Sequence, residues 1–103
     1  MGNLEGSGEF VDVLDNSWVQ GVVSVGTTQV EAKVGASKSD TREMIIIENI
    51  SNKTIYYGPS GVTSSTGHRL IKDAWVEIMV GNNLGVYLIA DSNGNNVIIS
   101  ELG

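Results

Sequence analysis

Residues 74–80 read AWVEIMV. Val76, Ile78 and Val80 alternate with Trp75, Glu77 and Met79, and a period of two belongs to a β-strand, whose side chains point in turn to opposite faces. The first set makes a core face. The second places a tryptophan and a methionine beside a glutamate, an unusual surface for a strand that meets only water. Working outward, residues 28–34 (TQVEAKV) are one-sided, with Val30, Ala32 and Val34 opposite Glu31 and Lys33. Residues 44–47 (MIII), 86–89 (VYLI) and 97–99 (VII) are apolar on both faces. A small sandwich buries one face of each sheet and leaves the other in water. Strands apolar on both sides therefore call for a second partner, because large exposed apolar patches are uncommon on monomers.

The rest of the chain follows the same grammar. Strand patterns fall at 9–14, 18–25, 28–34, 43–50, 54–58, 74–80, 86–90 and 97–102, separated by turns such as GASKSDT, GNNLG and DSNGNN. Val and Ile total 23 against 10 for Leu and Ala, and a branched Cβ fits a pleated surface better than a helix. Thirteen Gly, nine Asn and eleven Ser supply the turns. The reading is all-β: a single small antiparallel β-sandwich, jelly-roll or Ig-like, of about eight short strands. Residues 1–8 (MGNLEGSG) carry no core pattern and read as a flexible N-terminal arm, which leaves 9–103 as the sandwich domain. The long stretch from Pro59 to Asp73 is the natural place for a crossover between sheets.

Charge and composition narrow the function. A net charge of -6 with only six Lys and Arg argues against direct nucleic-acid binding. The absence of cysteine removes disulfides, thiol nucleophiles and Cys-type zinc sites. No 18-residue apolar run spans a membrane, and no charged-then-apolar leader opens the chain. His68 is the sole histidine, and Ser64, Ser65 and Thr66 precede it. Neighbours on one polar loop do not present a nucleophile to a base, and no nucleophile elbow surrounds them. Glu48, Glu77 and Asp91 are ordinary strand-surface carboxylates. Residues 91–96 (DSNGNN) imitate half a calcium loop, but their glycine is misplaced for it, and Asn-Gly is a hairpin turn. No enzyme, cofactor or metal is expected. Two sequons begin at Asn49 and Asn52. Trp18, Trp75, Tyr56, Tyr57 and Tyr87 suit core filling and subunit contact, with a sugar-stacking platform as the alternative.

One further pattern lies in the second half. Ile55-Tyr56-Tyr57-Gly58, then Val62-Thr63 and Gly67, precedes a strand at 74–80, then Val86-Tyr87-Leu88-Ile89-Ala90 and Val97-Ile98-Ile99-Ser100-Glu101-Leu102. With Val25-Gly26-Thr27, Arg42 and Glu48-Asn49-Ile50-Ser51 before it, the order over 22–102 resembles small virion proteins of tailed bacteriophages. Pro59 and the pair His68-Arg69 depart from that pattern. The resemblance implies a non-enzymatic structural protein that decorates or stabilises a phage head, with a neck, tail or fibre role as the alternative. It implies a homo-oligomer, a trimer before a dimer, that contacts a major capsid or other virion protein in a particle assembled in the host cytoplasm. Trp75, Met79, Trp18 and Tyr57 are the residues expected at those contacts.

Overall fold

The computed structural model describes residues 17–103. The arm expected at 1–8 and the strand expected at 9–14 lie outside the described residues. Eight strands follow: β1 (Trp18–Val25), β2 (Val30–Glu31), β3 (Met44–Asn49), β4 (Ile55–Gly58), β5 (His68–Leu70), β6 (Trp75–Met79), β7 (Tyr87–Ile89) and β8 (Asn95–Leu102). They form two antiparallel four-stranded sheets, in the order β1-β8-β3-β6 and β2-β7-β4-β5. Every link between consecutive strands crosses from one sheet to the other except β4 to β5. That order is a jelly roll, which decides between the two sandwich types left open by the sequence.

Alternation fixes what each strand buries. Val25, Ile45, Ile47, Ile55, Leu88, Val97 and Ile99 are sealed between the sheets, and Val23, Val76 and Ile78 pack against them. The strand expected over 28–34 shrinks to Val30–Glu31. Beyond it Ala32 keeps one bond to the Val86 carbonyl at 2.7 Å, and the chain then turns away to reach the buried end described below. Residues 68–70, expected inside a loop, form β5 because Leu70 pairs with Ile55 and enters the core. The crossover expected between Pro59 and Asp73 is therefore narrower: residues 59–67 return to the same sheet, and the chain changes sheets only after Leu70.

The 59–67 loop is held by its own hydroxyls. Thr63 Oγ1 accepts from the Ser65 and Thr66 amides, and Thr66 Oγ1 accepts from the Thr63 amide at 3.0 Å. Two of its glycines are required for different reasons. Gly61 sits at φ 92°, where a branched side chain is strained. Gly67 has no room: a Cβ there would lie 2.8 Å from the Tyr56 Cβ and 2.9 Å from Val62 Cγ2. Replacing either by Val is expected to cost about 1–3 kcal/mol in urea unfolding. An unchanged midpoint for Gly67→Val would show that the loop does not pack as described.

At the same end of the sandwich, between the β2–β3 and β6–β7 loops, Arg42 and Glu101 form a fully buried ion pair, Nη1 to Oε2 at 3.0 Å. The carboxylate also accepts from the Val34 amide at 3.1 Å and the Ser39 amide at 3.2 Å. The guanidinium donates to the carbonyls of Ala32, Gly81 and Leu84. One ion pair thus serves the backbone of two loops, β2–β3 and β6–β7.

Candidate functional site

The site emerges from the outward residues of the β1-β8-β3-β6 sheet. Strand register places Trp18, Leu102, Met44 and Met79 in one row across all four strands. The next outward row is Gln20, Ser100, Ile46 and Glu77, and the one after it is Val22, Ile98, Glu48 and Trp75. Eight of these twelve positions are apolar, and the first row is apolar throughout. Trp18, Val22, Trp75 and Met79, on the two flanking strands, are mostly exposed, while Leu102 and Met44 between them are buried. Alternation forces this surface: each inward residue that the core requires brings an outward neighbour with it, and here those neighbours are Trp, Met, Ile and Val. Between them Gln20 Oε1 accepts from Trp18 Nε1 at 3.1 Å and from Ser100 Oγ at 3.4 Å. This pins the amide in the plane of the face. The only charges in the three rows are Glu48 and Glu77, both acidic.

The other sheet is built differently. Tyr56, Tyr87 and Ile89 point outward but are half-buried, and Gly67 of the 59–67 loop lies directly beside Tyr56. Tyr57 faces the core and tilts against His68, ring centroids 5.5 Å apart. The structure therefore brings Trp18, Trp75 and Met79 onto one face and places Tyr57 in the opposite sheet. The aromatics considered for sugar stacking are divided in the same way, two on one sheet and three on the other.

The residues weighed for chemistry are dispersed. His68 lies on β5, Asp91 in the β7–β8 turn, and Glu48 and Glu77 on the outer face of the first sheet. Among the described residues no three of His, Asp and Glu gather closely enough to hold a metal. In the 91–96 turn Gly94 takes φ 81°. Asn93 Oδ1 accepts from the Thr27 amide, and the Asn95 amide donates to the carbonyls of Ser92 and Val25. These side chains brace the hairpin. A polar open cleft of about 390 Å³ lies between this turn and Ser51, Asn52 and Lys53. Of the two sequon asparagines, Asn49 is sealed in the protein with its amide fully engaged, while Asn52 is on the surface.

No protein-family model and no curated protein matches the chain. A solved Bacillus structure, described as "Bacillus endospore appendages form a novel family of disulfide-linked pili", is similar over 84% of this chain and 88% of that one. The identity is 12% and the TM-score 0.34, a likeness too loose to carry an argument.

Sequence reasoning found Trp75 and Met79 from the alternation in 74–80. It missed Val22, Ile98 and Gln20 as members of the same surface. The doubly apolar run 97–99 was the available signal for Ile98. Nothing in the sequence announces that β1 and β6 flank the same sheet.

Proposed function

We propose that the protein is a non-enzymatic structural subunit that joins an assembly through the outer face of the β1-β8-β3-β6 sheet. The observation that supports this reading is the unbroken apolar row Trp18, Leu102, Met44 and Met79, with Val22, Ile98 and Trp75 beside it. A buried Trp or Met contributes far more to association than to any role it has in water. The sequence pattern over 22–102 supports a phage particle as that assembly, with the head as the place of attachment and a capsid protein as the neighbour. The test is mass spectrometry of purified particles made by the phage that carries the gene. The expected result is the protein at stoichiometric abundance in the wild type, and incorporation lowered at least tenfold by Trp75→Ser with Met79→Ser. Absence from washed wild-type particles would overturn the virion reading.

A further inference from the structure

We infer that the outer face of the β1-β8-β3-β6 sheet pairs with the same face of a second copy, about a two-fold axis parallel to the strands; this rests on the proposed role of that face and names its partner. Area is the first support. Trp18, Trp75, Val22 and Met79 are 63%, 64%, 63% and 73% exposed. Together they present on the order of 500 Å² of apolar surface, near the upper end for the largest patch on a monomer. With the polar positions between them the face approaches the roughly 800 Å² that each partner contributes to a standard interface.

Charge and hydrogen bonding then select the occupant and the axis. Residues 1–16 carry Glu5, Glu9, Asp12 and Asp15 and no base, so that segment would set acid against Glu48 and Glu77. A two-fold axis perpendicular to the strands lays β6 over β6 and brings the two Glu77 carboxylates together. An axis parallel to the strands, between β8 and β3, exchanges the two halves of the sheet while keeping each row. Trp18 then meets Met79 of the second copy, Val22 meets Trp75, and Gln20 meets Glu77. That last pairing is complementary in detail. Gln20 spends its oxygen on Trp18 and Ser100, its Nε2 has no acceptor among the described residues, and Glu77 is a carboxylate with only acceptors. Glu48 meets Ile98 rather than another acid. Facing sheets pack about 10 Å apart at a modest angle, a separation side chains of this size fill. The result is a closed isologous dimer, in place of the trimer that the phage resemblance favours.

Sedimentation equilibrium from about 1 to 100 μM tests this, with circular dichroism melts to confirm that each variant is folded. Wild type is expected to be a dimer, and Trp75→Ser with Met79→Ser a folded monomer. Gln20→Glu keeps both intrachain acceptor contacts, removes the outward donors and sets a second carboxylate against Glu77, so it should weaken the dimer at least tenfold. Adding Glu77→Gln regenerates the pair with its partners exchanged and should restore association to within about threefold. A monomeric wild type at 100 μM, a dimer indifferent to Gln20→Glu, or no rescue by the exchange would each overturn the pairing. A monomer that still enters particles removes the dimer alone. A dimer absent from particles removes the virion reading alone.

Discussion

Replacing Glu101 by Ala is expected to cost about 3–5 kcal/mol, the usual penalty for leaving one buried ion without its partner. In a domain of this size a loss of 1 kcal/mol lowers the melting temperature by about 4–8 °C, so a fall of at least about 12 °C should be seen. The Arg42 guanidinium would stay in the interior with nothing to neutralise it, while the Val34 and Ser39 amides lose their acceptor. Many buried ion pairs can be replaced on both sides by apolar residues at little cost. This one should not follow that rule. Arg42 and Glu101 together serve two backbone amides and three backbone carbonyls, and two leucines would leave all five without these partners, the Ala32 carbonyl in the interior. Arg42→Leu with Glu101→Leu is therefore expected to be about as unstable as either single change, with strong non-additivity in the double-mutant cycle. Because the pair is sealed from solvent, the loss should be the same at low and high salt. A Glu101→Ala protein melting within 5 °C of wild type would mean that the end of the sandwich is not held by this network.

That network also marks the boundary of what the sequence discloses. A strand such as 74–80 states its own two faces, because alternation is local, and the all-β class, most strands and the outward Trp75 and Met79 follow from it. Which strands become neighbours is not local. Trp18 and Met79 share a row only because β8 and β3 lie between their strands, and no spacing in the chain encodes that order. The same holds for Arg42 and Glu101, 59 residues apart. Each reads as an ordinary surface charge until the fold closes over it. The strand at 68–70 escaped for another reason: only Leu70 of its three residues is buried, too little alternation to stand out from a polar loop.

Asn49 repeats the lesson with a neutral group, and its substitution gives the second large effect. As a sequon asparagine it suggests an exposed acceptor, yet it is fully buried at the end of β3. Its amide donates to the Lys53 carbonyl at 2.7 Å and to the Leu70 carbonyl at 2.8 Å. Its oxygen accepts from the Ser51 amide and hydroxyl. One side chain thus shapes the turn into β4 and fastens it to the end of β5 in the other sheet. Asn49→Ala should cost about 2–4 kcal/mol, since two carbonyls and an amide lose their partner, the Leu70 carbonyl in the interior. Asn49→Asp preserves shape and the oxygen's role but turns two donors into an acceptor facing two carbonyls. At neutral pH it is expected to be the worse of the two. Burial and the facing carbonyls raise the pKa of this new carboxyl above the roughly 3.9 of an unfolded aspartate. The folded protein then holds a proton more tightly than the unfolded chain, so the penalty is complete above the raised pKa and shrinks as pH falls through it. Once protonated, the introduced carboxyl can again donate to one of the carbonyls. The difference in melting temperature between Asn49→Asp and wild type should therefore narrow from pH 7 to pH 5, whereas that for Asn49→Ala should stay constant. Equal and pH-independent losses for the two variants would show that the Asn49 amide does not make these bonds.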